Sequence, residues 1–252
     1  MISPLNDLSI VIPTLNAAVH LPRTLDTIVG SGAEIVIADG GSGDETLAVA
    51  ARYGLPAVCS PPGRGRQLAA GAEKTSREWL LFLHADTRLQ PDWPQAVAAF
   101  RNAHRDGEAA AAFKLRFDSP HRAARLLEWG VGWRCRLFAL PYGDQGLLIS
   151  RALYDRLGGY RPLPLMEDVD FVRRIGRRRL HILPAVALTS AERYERDGWT
   201  RRALGNLGLL QAYLRGADPH ALYARYYRGP RQSSNGTTPH DARSRYQRSS
   251  RR

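Results

Sequence analysis

Apolar positions along the chain fall into short runs separated by segments with helical spacing. The clearest run is 79–83, five large apolar residues without alternation, which is typical of a strand buried on both faces of a parallel sheet. Similar runs predict strands at 8–12, 34–38 and 57–59, and helical patterns lie between them at 20–29 and 66–75. This alternation, at intervals of about 25 residues, predicts an α/β fold with a mostly parallel central sheet flanked by helices.

The pattern is less regular after Pro91. Phe113, Leu115 and Phe117 alternate with charged residues, which predicts a strand at 109–117. Further extended segments are expected at 146–149 and 180–189. Helices are expected at 92–103, 121–140 (one helix or a pair), 151–157, 166–175, 200–214 and 220–227. The aromatic residues expected to lie in the core or in domain contacts are Trp129, Trp133, Tyr142 and Trp199.

The formal net charge of the 252 residues is +12, and its distribution is uneven. Residues 229–252 hold six arginines and one aspartate in a Ser-, Gly- and Pro-rich context, so we expect a disordered Arg-rich tail after a domain that spans 1–228. The remaining excess is carried by Arg rather than Lys, which suits phosphate-bearing ligands or anionic lipid surfaces. An ordinary solvated surface accounts for most of it.

Cysteine usage and the N-terminal sequence favour a cytoplasmic location. Cys59 and Cys135 are far apart and indicate neither a disulfide framework nor a zinc site. Residues 1–7 carry no basic side chain, so no signal peptide is predicted. The charge-free window 8–22 is too short and too polar to span a membrane.

Polar side chains follow two of the predicted strands directly. His84 and Asp86 end the run at 79–83, and Asp39 ends the run at 34–38. In open α/β sheets ligands bind beyond the carboxyl ends of the strands. Asp39 is followed by glycines and could bind a base or a ribose, or it could satisfy the amides of a turn. Ser42 and Glu45 after it have capping-box spacing, which predicts the start of a helix.

Two further clusters carry charge that could serve chemistry. Arg64 and Arg66 precede a predicted helix and could bind a diphosphate with forked donors, although solvent exposure is the favoured interpretation of an isolated pair. Glu167, Asp168 and Asp170 occupy the first turn of another helix. Acidic residues there stabilise the helix dipole, but three exceed what capping needs, and crowded carboxylates suit a general base.

Taken together, these motifs resemble the family 2 glycosyltransferases, inverting enzymes of the GT-A (Rossmann-like) fold, over roughly 8–199. The opening segment at 8–16 is similar to the first strand and nucleotide-facing loop of that family, and 37–46 is similar to its second-strand signature. His84-Ala85-Asp86 stands where the family has its D-x-D metal and diphosphate motif. Gly158-Gly159-Tyr160 followed by Glu167-Asp168 resembles the glycine turn and catalytic ED pair.

The resemblance implies a role for each matching residue. Asp168, beside Glu167, is implied as the catalytic base, and the divalent cation (Mg²⁺ or Mn²⁺) is implied on Asp86 with His84 in place of the first Asp. Arg66 would assist at the diphosphate, and Asp144 and Gln145 would contact a substrate. The residues implied to bind the nucleotide-diphosphate sugar are Pro13, Thr14, Asn16, Asp39, Ala85 and Asp86.

The same resemblance implies a division of the chain. Residues 1–105 would form the nucleotide-binding half, 106–200 the acceptor and catalytic half, and 200–228 the C-terminal helices. Segments 63–68, 84–86 and 142–146 resemble a bacterial subgroup named for arsenosugar biosynthesis. The processive members' Q-x-x-R-W motif and membrane helices are missing from the sequence, which favours a nonprocessive transferase that contacts a membrane peripherally at the inner face, if at all.

Two other functions are weighed against this one. A sugar-phosphate nucleotidyltransferase would carry a glycine-rich basic loop after the first strand, where this chain has Pro13-Thr14-Leu15-Asn16. A non-catalytic nucleic-acid-binding protein would use the Arg-rich surface and should lose binding without 229–252. No nucleic-acid motif is recognisable, so we expect the partners to be a nucleotide-sugar donor and an acceptor hydroxyl.

Overall fold

The computed structural model describes residues 5–227, and eight strands within this range form one sheet. The strands are β1 (Leu8–Thr14), β2 (Glu34–Asp39), β3 (Ala57–Cys59), β4 (Trp79–Phe82), β5 (Thr87–Leu89), β6 (Ala110–Phe117), β7 (Leu147–Ser150) and β8 (Leu180–Thr189). The helices are α1 (Leu21–Leu25), α2 (Thr46–Arg52), α3 (Arg64–Glu73), α4 (Trp93–Ala103), α5 (Arg122–Phe138), α6 (Arg151–Arg156), α7 (Glu167–Ile175), α8 (Glu192–Asp197), α9 (Trp199–Leu214) and α10 (Pro219–Tyr227). The predicted tail at 229–252 lies outside the described residues.

The sheet combines a parallel part with a mixed part, in the order β3-β2-β1-β4-β7-β6-β8-β5. Strands β1 to β4 pair in parallel, β4 pairs antiparallel with β7, and β6 pairs in parallel with β8. The α/β architecture with a central sheet and flanking helices is confirmed. Its mixed half could not be predicted from runs of apolar residues, because such runs do not indicate strand direction.

Strand β4 is buried on both faces, as its unbroken apolar run predicts. Trp79 and Leu81 join one core cluster with Phe100, while Leu80 and Phe82 join a second cluster on the other face. Fully burying each large apolar side chain contributes roughly 1.5–3 kcal/mol. Both faces therefore hold β4 in place, and with it the polar residues that follow.

Pro13 is buried in the middle of this sheet, where a proline is unusual because it cannot donate a backbone hydrogen bond. Its position explains why it is tolerated. Pro13 pairs with Ala38 of β2, but the pairing of β1 with β4 ends at Val11. Beyond Val11, strand β1 pairs with β2 and no longer with β4. The missing N–H of Pro13 therefore removes no hydrogen bond to β4.

Several local predictions are wrong. The helix predicted at 20–29 is confined to α1, and α3 begins at Arg64 instead of residue 66. The capping box does not form, because Glu45 is the N-cap of α2 without a side-chain bond, and the Ser42 hydroxyl donates to Asp39. Strand β5 and helix α8 were not predicted, because Leu89 is the one apolar residue of β5 and α8 buries none of its residues, so neither segment shows an apolar pattern.

The aromatic residues of α5 also differ from expectation. Trp129 and Trp133 are exposed rather than buried in a core. Trp199 does pack inside, against Phe117 and Tyr194. Among residues 5–227 no helix is both long enough and apolar enough to cross a bilayer.

Candidate functional site

A cavity of about 160 Å³ opens where β4 and β8 end and α7 begins. It gathers six charged or titratable residues that the sequence pattern singles out from four separate segments. They are Arg64, His84, Asp86, Asp144, Glu167 and Asp168. Their convergence follows from the topology, because β4 delivers residues 84–86 and α7 presents its N-terminal turn to the same edge of the sheet.

Asp168 is held by backbone amides at this N-terminal turn. Its Oδ2 accepts a hydrogen bond from the Gly143 N–H (2.8 Å), and its Oδ1 accepts one from the Val169 N–H (2.7 Å). The side chain is half-buried and lines the cavity. A carboxylate held in this way keeps lone pairs directed at the cavity, so Asp168 can accept a proton from a molecule bound there.

His84 contacts the guanidinium group of Arg64 and is near enough to Asp168 to feel its charge. Its Nε2 is 3.2 Å from Nη1 of Arg64, and since Arg only donates, Nε2 is the acceptor and the ring proton belongs on Nδ1. Burial, together with the charge of Arg64, lowers the pKa of His84 to about 4. The imidazole is therefore neutral at pH 7, and it ligates a metal through Nε2 only if Arg64 moves away.

Glu167 forms the buried floor of the cavity. Its Oε1 is 3.0 Å from Nε of Arg64, an ion pair in which neither oxygen of the carboxylate has hydrogen-bond geometry with any described group. Burial raises the pKa of Glu167 to about 7, and Asp168 adds to the rise while Arg64 opposes it. Glu167 thus anchors Arg64 in the cavity and is much less accessible than Asp168.

Asp170, the third carboxylate of this turn, points elsewhere. Its oxygens pair with Arg161 (3.1 Å) and Arg174 (2.7 Å), and it is buried. It ties α7 to the segment before it, which is a structural role. Of the three acidic residues in this turn, Asp170 therefore has a structural role, and Glu167 and Asp168 line the cavity.

Asp144 brings a further carboxylate from a short 3-10 turn at Gly143–Gln145. Its Oδ1 is buried and has no hydrogen-bond partner among the described residues. Burial raises the pKa of Asp144 to about 6, against the effect of Arg134, and the carboxylates of Asp168 and Asp86 contribute to the rise. A buried acceptor without a donor is costly, which indicates that a cation or a donor group belongs beside it.

The donor set fits a hard divalent cation that shares its coordination with a ligand. Across residues 5–227, no group of three or more His, Cys, Asp or Glu side chains could hold a metal ion by itself. Mg²⁺ sites in enzymes commonly use one or two carboxylates together with substrate phosphates and water. Asp86 and the unpartnered oxygen of Asp144 are oxygen donors of the type that such a cation requires.

The predicted nucleotide loop is rigidly built, but it lies outside the wall of this cavity. Asp39 is fully buried, and its carboxylate accepts four hydrogen bonds, two from the Thr14 and Ser42 hydroxyls and two from the Gly41 and Ser42 amides. These bonds join the ends of β1 and β2. Asp39 therefore shapes the loop that would face a nucleotide, and its oxygens are already engaged.

Asn16 completes this loop in a left-handed conformation, with φ of 52°. Its backbone N–H donates to the Ser42 hydroxyl, and its Oδ1 accepts from the Gly43 N–H. The side chain of Gln67 donates to the carbonyls of Thr14 and Ala38. This role of Gln67 was not predicted. A rigid, exposed loop edge at the carboxyl ends of β1 and β2 results.

Three other predicted residues also lie away from the cavity. Arg66 is exposed on the first turn of α3, and Ala85 is buried with its carbonyl accepting from the Thr24 hydroxyl. Gln145 is buried; its Oε1 accepts from Arg134 and its Nε2 donates to the Phe113 carbonyl. Through these hydrogen bonds the buried Gln145 side chain stabilises the 3-10 turn.

The opposite side of the cavity is aromatic and was missed from the sequence. Helices α8 to α10 contribute Arg193, Tyr194, Arg202 and Tyr226 to its lining. Arg202 is neutralised by Asp197 (2.6 Å) and also donates to the Tyr226 hydroxyl. No spacing rule marks these residues, because their positions depend on how short C-terminal helices fold back over the sheet.

Known proteins resemble this chain in sequence and in fold. Residues 9–161, more than half of the chain, match the family described as Glycosyl transferase family 2. Over 183 residues the chain is 31% identical to the PGL/p-HBAD biosynthesis glycosyltransferase of Mycobacterium bovis (strain BCG / Pasteur 1173P2), which covers 65% of this chain and 67% of that protein.

Solved structures share the fold at lower identity. S. aureus TarS 1-349 in complex with UDP-GlcNAc gives a TM-score of 0.54 at 16% identity, over 73% of this chain and 58% of that one. A longer TarS chain is spanned over only 35% of its length. Glucosyl-3-phosphoglycerate synthase from Mycobacterium tuberculosis, with Mn²⁺, UDP and glucosyl-3-phosphoglycerate, gives 0.51 at 21% identity over 79% and 78%. The chain belongs to glycosyl transferase family 2, and it is a glycosyltransferase with the GT-A fold.

Proposed function

We propose that this enzyme transfers a sugar from a nucleotide-diphosphate sugar to an acceptor hydroxyl, in one nonprocessive step with inversion at the anomeric carbon. The observation that carries the proposal is the convergence of Asp168, Asp86 and Arg64 on one cavity at the carboxyl end of the sheet. A base, an acidic metal ligand and a cation are the groups that such a displacement requires. Family membership favours this reaction over nucleotidyl transfer or nucleic-acid binding.

The donor nucleotide would lie along the loop built by Thr14, Asn16 and Asp39, with its diphosphate directed toward Asp86. Arg64 lies inside the cavity, and Arg66 stands exposed on the same helix. Arg193 lines the cavity from α8 and acts electrostatically on His84. These guanidinium groups would stabilise the negative charge that develops on the departing diphosphate. The solved structures of TarS and glucosyl-3-phosphoglycerate synthase contain UDP-GlcNAc and UDP, so uridine nucleotides are the first to test.

Asp168 would remove the proton of the acceptor hydroxyl as its oxygen attacks the anomeric carbon. Base catalysis of this kind is typically worth about 10²–10⁴ in rate. The acceptor would occupy the aromatic side of the cavity, near Phe117 and Tyr194. Attack from that side, opposite the diphosphate, produces inversion.

A divalent cation, Mg²⁺ or Mn²⁺, would be held by Asp86 and Asp144 and would neutralise charge on the donor diphosphate. His84 stays a candidate ligand on condition that Arg64 releases its Nε2. The structure of glucosyl-3-phosphoglycerate synthase contains Mn²⁺, which supports a cation of this class here. The arsenosugar subgroup stays a prediction, as do the acceptor and the cytoplasmic location.

The base is tested with Asp168→Asn. Because the amide keeps the size of the side chain but cannot take a proton, we expect turnover to fall by about 10²–10⁴. Turnover can be measured without knowledge of the acceptor, as release of the nucleoside diphosphate when the sugar is transferred to water. NMR of the released sugar gives its anomeric configuration. The matched control is Asp155→Asn on α6, an exposed aspartate outside the cavity. Near-normal turnover in Asp168→Asn, or retention of configuration, would contradict the proposal.

The donor site is tested by calorimetric binding of UDP, GDP, ADP and dTDP, each with Mn²⁺ and with EDTA. We expect one nucleotide to bind in the presence of Mn²⁺ and to lose affinity in EDTA and in Asp86→Ala, because the cation bridges Asp86 and the diphosphate. Metal-independent binding would assign charge neutralisation to Arg64 and Arg193 instead. No binding of any of the four by folded protein would overturn the donor site.

A further inference from the structure

Helix α5 presents an apolar stripe to solvent. Leu126, Trp129, Trp133 and Leu137 follow one another at spacings of three and four residues, and their exposed fractions are 68%, 65%, 44% and 50%. This spacing places all four side chains on one face of the helix. A contiguous exposed apolar patch on a protein surface marks an interaction site rather than chance exposure.

The stripe is not needed to hold α5 on the domain. The opposite face does that, because Ala124 is buried and Leu127 and Val131 pack with Phe117 and the aromatic residues of α8 and α9. Removing the exposed side chains therefore leaves the packed face of the helix intact. Helix α9, which packs against α5, also exposes Leu204 and Leu207.

The edges of the stripe are positively charged. Helix α5 holds four arginines and one glutamate, and that glutamate, Glu128, is neutralised by Arg116 and Arg125. Arg122 and Arg136 are exposed. At the C-terminal end, Arg177 donates to the Leu137 carbonyl (2.8 Å) and brings another charge next to the stripe.

We propose that this face of α5 docks the enzyme on an anionic lipid bilayer. Tryptophan and leucine on one face with arginines along its edge are the features of helices that lie in the membrane interface. Tryptophan favours the headgroup level of a bilayer, and each nearby arginine adds attraction to anionic lipid. A second copy of the chain is a poorer occupant, because a two-fold contact through this face would set the same arginines against each other.

Docking through α5 would bring the catalytic cavity close to the bilayer. Arg134, on the same helix, stacks over the Tyr142 ring at 3.5 Å, and Tyr142 lines the cavity. A single cation–π contact thus connects the helix that carries the docking surface with the wall of the cavity. The proposal does not depend on which sugar is transferred or on whether Asp168 is the base.

The test is binding of the full chain to vesicles, without donor or metal. Vesicles of neutral phosphatidylcholine are compared with vesicles that contain about one third phosphatidylglycerol. We expect binding to the anionic vesicles, and in Trp129→Ser/Trp133→Ser a loss of roughly tenfold or more in affinity. Arg122→Gln/Arg136→Gln should weaken binding to anionic vesicles and reduce its dependence on salt. The matched control, Val19→Ser/Val29→Ser, removes exposed apolar side chains elsewhere (81% and 45% exposed) and should bind as wild type.

Tryptophan fluorescence gives a second readout. Of the five tryptophans, Trp79 and Trp93 are buried, so a blue shift on vesicle addition that disappears in the double tryptophan variant reports on α5. Unchanged binding by that variant would overturn the proposal, as would binding that is lost only when residues 228–252 are deleted. Sedimentation that shows a wild-type dimer and a monomeric variant would assign the face to a second copy instead. Unfolding curves identify a variant that has failed to fold.

Discussion

Gly143 lies where two side chains of the cavity meet. A Cβ added at this position would be 2.6 Å from His84 Nε2 and 3.5 Å from Asp168 Oδ2. The same residue donates its N–H to Asp168. The absence of a side chain thus allows the 3-10 turn to hold the carboxylate and to pack against the imidazole at once.

Gly143→Ala should therefore reduce activity without unfolding the protein. The new methyl group would push His84 off its contact with Arg64, and a displacement of about 1 Å near reacting groups can cost about 10²-fold in rate. Turnover with the donor identified by calorimetry measures the effect, and the midpoint of thermal unfolding serves as the control. Wild-type turnover in this variant would show that His84 has room that the structure does not indicate.

Arg64 and Arg66 illustrate how far single residues can be predicted. The sequence indicates a basic pair before a helix, but residues two apart on a helix point in different directions. Because α3 begins at Arg64, that residue faces the cavity and Arg66 faces solvent. The choice depends on where the helix begins, and element boundaries are the least certain part of any sequence prediction.

At the scale of elements, α3 is packed unusually close to the sheet. A Cβ on Gly71 would be 2.3 Å from Cγ1 of Val11 and 3.2 Å from the Cβ of Ala38. This close approach sets the height of the helix above β1 and β2. It also sets the position of Arg64, which is the first residue of the helix and lines the cavity.

Gly71→Ala should lower the free energy of unfolding by about 1–3 kcal/mol, because an added methyl group overpacks the contact with Val11. Denaturant unfolding measures this change. The control is Gly205→Ala on α9, where a Cβ meets nothing within 4 Å and where the substitution should stabilise by about 0.5–1 kcal/mol. Equal stability of the two variants would mean that α3 can shift without cost.

Element prediction succeeded where one face or both faces of an element are buried. Strand β4 and helix α7 are examples, since the apolar pattern of each reflects its packing. It failed where an element carries few apolar residues or where its direction matters. Strand β5 has Leu89 as its one apolar residue and pairs with β8, a contact set by the tertiary structure alone. The antiparallel pairing of β7 with β4 is likewise invisible in the alternation of apolar residues.

For the whole molecule, the site joins both predicted halves of the chain. Asp86 comes from the first half, and Asp144 and Asp168 come from the second. The resemblance to a family identified the motifs and their order along the chain. Their convergence on one cavity depends on the folded sheet, which brings distant segments together. The aromatic side of the cavity depends on α8 to α10, for which no motif exists.

The backbone contact between residue 86 and the end of β8 affects how the protein folds during its synthesis. Thr87 pairs with Thr189, and the Asp86 carbonyl accepts from the Ser190 N–H (3.1 Å). Contacts between residues so distant along the chain form slowly. During synthesis the first half can leave the ribosome and collapse, but the Asp86 carboxylate, which we propose binds the cation, is not fixed until residues 189–190 have emerged. A ribosome-bound fragment that lacks them would carry every motif proposed to face the nucleotide and still have no assembled centre.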